Sequence, residues 1–209
     1  MLHLEILRQK LSQASPDARR HMDVINSEIQ RLDRVVEVLV DFTRPVELRL
    51  ADQDLRRILE HVVALAAPDA ERHGVSIECS LPPHPLTVRV DADLVKQAVL
   101  NVVLNGVQAM PQGGVLSLSA ARQPAGIELH VRDQGPGIPP EVRDRIFDLY
   151  FTTKKAGSGI GLPMTFRVMQ LHNGSVEVDS QPGSGAIFRL RFPESESQRD
   201  LVQALIAEG

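Results

Sequence analysis

Apolar residues near the start of the chain repeat at helical spacing. Met22, Ile25, Ile29, Leu32, Val36 and Leu39 are separated by 3, 4, 3, 4 and 3 residues. That is a heptad seam, the pattern of a helix packed along another helix or along its own copy. Ser15-Pro16-Asp17 supplies a start for this helix: a serine N-cap, a proline in the first turn and an acid beside it. Pro45 closes it, because the residue before a proline is pushed out of the α region. Leu4, Leu7 and Leu11 continue the spacing upstream, so residues 1–13 read as the tail of a preceding helix. Tail, turn and long helix make a helical hairpin, half of a four-helix bundle. A dimerisation seam and an intramolecular contact share one period. Dimerisation is the preferred reading, since a lone hairpin buries too little.

From Val46 the pattern changes to mixed elements. Val46 to Leu50 alternates as a strand, and Leu55, Ile58, Leu59, Val62 and Leu65 carry helical spacing. Val75–Ile77 and Val88–Val90 read as short strands around a proline-rich turn, and a helix is expected over about 92–110. Val115–Ser119 and Ile127–Val131 form a hairpin pair, followed by a long glycine-rich loop. Met164–His172 is helical, and Ser175–Asp179 with Ala186–Phe192 are the last strands. The fold class is therefore α+β: the hairpin, then a mixed sheet with helices on one face.

Glycine usage draws the same boundary, for all 14 glycines lie at or after Gly74. The charge sum of −4 and an aromatic content of 3% leave little for holding phosphodiester backbones or stacking bases, so nucleic acid is not an expected partner. A single cysteine, Cys79, excludes an internal disulfide framework. The longest apolar run, Val62 to Ala67, is too short to span a bilayer, and Met1–Glu5 lacks the start of a signal peptide. A cytoplasmic protein is expected, with any membrane attachment confined to segments upstream.

Three stretches carry chemistry. In the helix over 92–110, Gln97, Asn101, Asn105 and Gln108 form a polar stripe on an otherwise apolar surface. Buried amides need partners. The stripe either bonds neighbouring backbone or faces a polar ligand, offering amide oxygen to a hard cation such as Mg²⁺. Next, an apolar strand ends in Asp133-Gln134-Gly135-Pro136-Gly137. A carboxylate beside bare backbone can accept a hydrogen bond from an exocyclic amine such as that of adenine, although the pattern is also that of an ordinary turn. Finally, Phe147-Asp148-Leu149-Tyr150-Phe151-Thr152-Thr153-Lys154 runs into Gly157-Ser158-Gly159-Ile160-Gly161-Leu162-Pro163. Alternating glycines before a helix let N–H groups converge on an anion, beside the charge of Lys154. The spacing is neither that of a Walker loop nor that of a dinucleotide fingerprint, and a phosphate-covering lid fits better.

In this order the motifs resemble the catalytic ATP-binding domain of sensor histidine kinases, in the wider group that includes gyrase B, Hsp90 and MutL. Asn101–Asn105 match the N box, Asp133–Gly137 the first glycine box, and Phe147–Phe151 the F box. Gly157–Gly161 match the second glycine box, and Gly183–Phe188 a final glycine motif. The resemblance covers residues 46–193. Residues 1–45 resemble the end of a dimerisation and histidine-phosphotransfer hairpin with its first helix truncated, and 194–209 form a tail. The nearest flavour is the nitrogen-regulation type.

The resemblance implies ATP and Mg²⁺ as cofactors. Asn105 becomes the metal ligand, and Asn101, Asn105 and Lys154 the catalytic set. Asp133 takes the adenine amine, with Gly135, Gly137 and Ile138 beside it. Phe151, Thr153, Lys154, Gly157, Gly159, Ile160, Gly161 and Leu162 complete the nucleotide site. ATP-hydrolysing relatives carry a glutamate at the position of Asn101. An amide is no general base, which favours phosphoryl transfer to a protein side chain over hydrolysis. The chain departs from the family at Gly106, where alanine is usual and glycine costs about 1 kcal/mol of helix propensity, and at Ala186, where threonine is common.

The family's acceptor histidine is followed directly by an acidic residue. No histidine here is: His3 precedes Leu4, and His21 precedes Met22. The acceptor is therefore expected upstream of Met1, making this chain a fragment. His73 and His172 are placed at helix C-termini, and His130 on a solvent-facing strand position. The expected partners are a second copy, through the hairpin, and a response-regulator receiver domain. The alternative is a nucleotide-binding regulatory protein, an anti-sigma-factor-like kinase or a non-catalytic relative. The heptad hairpin and the intact boxes argue against it.

Overall fold

A single carboxylate organises the first turn of the sheet domain. Asp54 is the N-cap of a 19-residue helix, and its Oδ1 accepts from the backbone N–H groups of both Arg56 and Leu86, each at 3.1 Å. The Arg56 guanidinium donates to the same carboxylate and to the carbonyl of Pro83. One side chain thus joins the helix start to the proline-rich turn 32 residues later. In this computed structural model the described residues are 47–154 and 157–193, together with two helical positions, Ile25 and Ile29. The chain divides into two units, 1–46 and 47–209. Ile25 is half exposed, and the rest of the expected hairpin, like the tail over 194–209, lies outside the described residues.

The elements run β1 (Ala51–Asp54), α1 (Leu55–His73), β2 (Val75–Ser80), β3 (Thr87–Val90), α2 (Ala92–Gln108), β4 (Gly114–Gln123), β5 (Gly126–Arg132), α3 (Pro140–Arg143), α4 (Gly161–Leu171), β6 (Ser175–Ser180) and β7 (Ala186–Pro193). Five strands form a mixed sheet in the order β2-β4-β5-β7-β6, parallel only between β2 and β4. β1 and β3 make a separate antiparallel pair. Alternation sends Leu116, Leu118, Leu129, Leu190 and Phe192 to one face, where they are almost fully buried with Leu59 and Val62 of α1, Val99 and Val103 of α2, and Met169 of α4. Among the described residues the helices therefore cover one face, as the pattern predicts. The other face carries polar pairs: Glu128 meets His130 two residues along β5 and Arg191 across on β7, Arg191 pairs with Glu177, and Arg189 with Asp179. Such exposed pairs add little stability individually.

Several local expectations are corrected. The strand predicted at 46–50 is displaced to 51–54. Its partner β3 ends at Val90, and Asp91 turns away to cap α2, accepting from the N–H groups of Asp93 and Leu94, so a strand before Ala51 has nothing to pair with. Arg49 instead donates its N–H to the Asp91 carboxylate. Leu65 is 55% exposed, because Ala66 and Ala70 take the inward positions of α1. α4 begins at Gly161 rather than 164, and α3 was not anticipated. His172 caps the C-terminus of α4, as expected, and it is also buried. Its Nδ1 bonds the Val168 carbonyl at 2.7 Å, and its Nε2 accepts the Asp91 N–H at 2.9 Å, tying the end of α4 to the start of α2.

Replacing Asp54 by alanine removes an N-cap and orphans the Leu86 N–H, and should lower the unfolding free energy by about 1–2 kcal/mol in urea titrations. The Arg56 hydrogen bond holds the Asp54 carboxyl below its ordinary value of 3.8. A depressed carboxyl stabilises above its unfolded pKa and loses that contribution as pH falls through the folded one. The acid limb of the stability profile should therefore be shallower in Asp54→Ala. An unchanged limb would remove the carboxylate from this role.

Candidate functional site

Asp133 follows directly on β5 and is only 5% exposed, an unusual place for a carboxylate. Two backbone N–H groups hold it there, from Gly135 at 2.8 Å and Ala186 at 3.2 Å, and both bonds fall on Oδ1. Oδ2 has no hydrogen-bond donor among the described residues. Burial pushes the carboxyl above its usual value, while those N–H groups and the charge of Lys154 pull it back down. The surrounding loops approach more closely than side chains allow. A Cβ at Gly185 would lie 2.1 Å from the Asp133 carbonyl oxygen, and one at Gly137 would lie 2.2 Å from that of Gln181. Both glycines have positive φ, so the constraint is conformational as well as steric.

The amide-bearing side of α2 forms an adjoining wall. The expected stripe is less buried than its apolar context suggests: Asn101 and Asn105 are half-buried, Gln97 and Gln108 exposed. The Asn101 amide donates to the Gly161 carbonyl at 3.2 Å, bracing α2 against the first residue of α4. The buried Thr165 hydroxyl, which the sequence does not single out, sits 3.0 Å from the Ala98 carbonyl and 3.1 Å from that of Gly161. The Lys154 ammonium donates to Asn105 Oδ1 and Gln108 Oε1, each at 2.8 Å. Lys154 is exposed, yet the surrounding protein removes enough water from its ammonium to lower its pKa, an effect that Asp133 opposes. Gly106 packs its bare Cα against Leu116, whose methyl lies 2.5 Å from where a Cβ would stand. Close packing therefore accompanies the propensity cost at that position.

Gly157 and Gly159 sit against the segment before them. Tyr150, itself at φ 66°, donates its N–H to the Gly159 carbonyl at 2.8 Å, and a Cβ on Gly159 would lie 2.4 Å from the Tyr150 carbonyl carbon. The Arg145 guanidinium sits 4.4 Å from the centre of the Phe151 ring, and Phe147 packs on Phe166. α4 then starts at Gly161 with no side-chain cap, and Gly161 and Leu162 of its first turn line the opening.

Together these elements enclose a cleft of about 920 Å³. Every residue expected at the site lines it: Asn101, Asn105, Asp133, Gly135, Gly137, Ile138, Phe151, Thr153, Lys154, Gly157, Gly159, Ile160, Gly161 and Leu162. Leu104, Ile146, Ala186 and Phe188 also line it and were not foreseen as site residues. Strand pairing of Val131 with Phe188 brings the last two there, and no local pattern announces that. Gln108 was visible in the stripe but was not included in the expected site. The cleft offers one carboxylate oxygen without a donor among the described residues, apolar walls around it, backbone N–H groups beside a lysine, and two amide oxygens pointed at one cation. No cluster of three or more His, Cys, Asp or Glu residues suited to a metal occurs among the described residues. None of their helices is long and apolar enough to cross a membrane.

A family profile described as histidine kinase-, DNA gyrase B-, and HSP90-like ATPase matches residues 90–196. The sensor histidine kinase ZraS of Escherichia coli strain K12 is 34% identical over 187 residues, covering 90% of this chain and 40% of that protein. Sporulation kinase C of Bacillus subtilis strain 168 is 31% identical over 179 residues, covering 85% and 42% respectively. The chain thus spans about two fifths of the length of these relatives. The crystal structure of full-length ShkA in complex with AMPPNP superposes with a TM-score of 0.69 at 27% identity, over 86% of this chain and 39% of that one.

The Asp133–Lys154 coupling is directly testable. Lys154→Met should raise the carboxyl pKa of Asp133 further, since it removes the charge that holds it down. Carbon-detected NMR titration of the carboxyl reads this. An unshifted midpoint would mean that solvent screens the pair.

Proposed function

This chain belongs to the histidine kinase-, DNA gyrase B- and HSP90-like ATPase family, as a histidine kinase ATP-binding core, and on that premise we propose that it binds Mg-ATP in the cleft and directs the γ-phosphoryl group to a histidine. The acceptor is a histidine of the dimerisation hairpin, carried in the family's motif, and onward transfer goes to an aspartate of a response-regulator receiver domain. The hairpin pairs with that of a second copy, and the reaction runs in the cytoplasm. The observation that carries the nucleotide reading is the unpaired Oδ2 of Asp133, a buried acceptor in a cleft whose other lining is suited to an anion.

In this reading adenine lies against the Asp133 loop. Oδ2 accepts its exocyclic amine, and Gly135 and Gly137 let the ring approach the backbone, with Ile138 and Phe188 as apolar neighbours. The phosphates extend towards Gly157–Gly161. There the N–H groups of the lid, the start of α4 and Lys154 supply positive potential. The donor set at Asn105 fits a hard cation, since its amide oxygen and that of Gln108 already converge on an ammonium. Asn105 would hold Mg²⁺, whose charge would offset that of the phosphates. Asn101 braces α2 against α4 and, as an amide, takes no proton from water, which favours transfer over hydrolysis.

Titration calorimetry is the primary test. Asp133→Asn replaces a charged acceptor with a neutral one and should weaken ATP binding by about 1.5–3 kcal/mol, roughly ten- to a hundredfold. Binding equal to that of the parent would overturn the adenine assignment. Burial raises the Asp133 carboxyl, so it gains its proton at a higher pH than an ordinary aspartate. Affinity should therefore fall as pH drops through that raised value, and Asp133→Asn should lack this limb.

Transfer is tested with radiolabelled ATP. No histidine of the chain is followed directly by an acid, so label is expected on an added hairpin bearing the family's motif rather than on this chain. Acid-labile phosphate on this chain that disappears with His21→Gln would relocate the acceptor.

A further inference from the structure

Gln108 has no part in the reading above except as a neighbour of Asn105. Yet its Oε1 and Asn105 Oδ1, three residues apart on α2, are both 2.8 Å from the same ammonium nitrogen of Lys154. An ammonium is all donor, so two acceptors aimed at it form a cation cradle. Both amides stand at the open side of α2, where water could have satisfied them equally well. The cradle is built across 49 residues of sequence and joins α2 to the segment that enters the lid.

Two positive ions cannot share it. A divalent cation taking Asn105 Oδ1 meets the lysine at close range, so the lysine must leave first. Phosphate oxygens give the ammonium charge-assisted bonds, about twice as strong as those from neutral amides. We propose that Asn105 and Gln108 hold Lys154 as a resident cation in the nucleotide-free protein and release it to the phosphates, leaving the cradle free for a divalent metal. Gln108 is the positioning residue of this exchange. Metal without nucleotide is thereby excluded, and metal and nucleotide bind cooperatively, each raising the affinity of the other by one common factor. The release step rests on the Mg-ATP reading, whereas the cradle and its blockade by lysine do not.

The test uses the full chain without nucleotide and Mn²⁺ as the probe, read by paramagnetic broadening of the Asn105 and Gln108 side-chain amide signals in NMR. Lys154→Met and, independently, Lys154→Gln should lower the Mn²⁺ concentration that half-broadens these signals by about tenfold or more, because a unit positive charge has been removed from contact range. Adding Gln108→Ala to either variant should raise that concentration several-fold again, read on Asn105. Equal broadening in the parent and both lysine variants, or no effect of Gln108→Ala, overturns the cradle. Calorimetry of the same parent sample with ATP alone judges the Mg-ATP reading separately. Should ATP fail to bind, that reading falls while the Mn²⁺ titration still decides the cradle. Should ATP bind without raising Mn²⁺ affinity in the parent, the exchange itself is overturned.

Discussion

Keeping a carboxylate almost dry at the end of a strand requires donors that cannot wander, and here they are backbone N–H groups fixed by a crossing of two loops. The Asp133 N–H donates to the Ala186 carbonyl at 3.0 Å, and the Ala186 N–H returns to the Asp133 side chain. Ser180 Oγ donates to the Gly185 carbonyl and accepts from the Ile138 N–H, while the Gly183 N–H reaches the Pro136 carbonyl. Residues 133–138 and 180–186 are thereby joined at several points. Gly137 and Gly185 permit the separation, since a Cβ on either would strike main-chain oxygen of the other loop. The cleft floor depends on this crossing, which is an extension of the β5–β7 ladder.

The mouth of the cleft is built on the opposite principle. Its contacts are side-chain bonds of lysine to amides, an exposed threonine hydroxyl accepting the Lys154 N–H, and a helix start without a cap. Each can be exchanged for a bond to phosphate at little net cost, because both arrangements satisfy the same donors. The two ends communicate electrostatically: the buried Asp133 lowers the cost of a partly desolvated Lys154, and the lysine lowers that of the carboxylate. Under the proposed function an incoming nucleotide would meet an acceptor held by backbone and a cation held only by side chains, a division suited to recognising the base first and organising the phosphates afterwards.

Sequence reading recovered what local physics determines. The helices over 55–73 and 92–108, the β4–β5 hairpin and the last two strands follow from period and turn chemistry. Glycine spacing and a carboxylate after an apolar strand mark the stretches that line the cleft, while the full set of expected site residues comes from the family resemblance. What escaped was non-local. The first strand slipped because its length is set by where Asp91 begins to cap α2. The place of His172 at a helix end is legible, but its burial and its acceptor role towards Asp91 are not, because that bond spans 81 residues. The glycines at 157 and 159 were read as sources of N–H groups for an anion, whereas Thr152 and Tyr150 also leave no room there for a side chain. Gly106 likewise registered only as a propensity cost, since nothing local indicates that Leu116 packs against it.

Asn101 brings the mechanism and the fold to one atom. Its Nδ2 donates to the carbonyl of Gly161, the first residue of α4, and so sets where that helix start stands against α2. A carboxylate at this position has no proton to give at neutral pH, and it would face a carbonyl oxygen across the same gap. Repulsion would push the start of α4 away from the wall that carries Asn105, unless the helix were held by other means. The nearby Thr165 hydroxyl has a single proton to share between the carbonyls of Ala98 and Gly161, so it cannot fully replace the amide. Installing a general base at 101 would thus cost the alignment of the helix that completes the phosphate end. An amide at 101 serves helix placement, and under the proposed function it would also spare ATP from water.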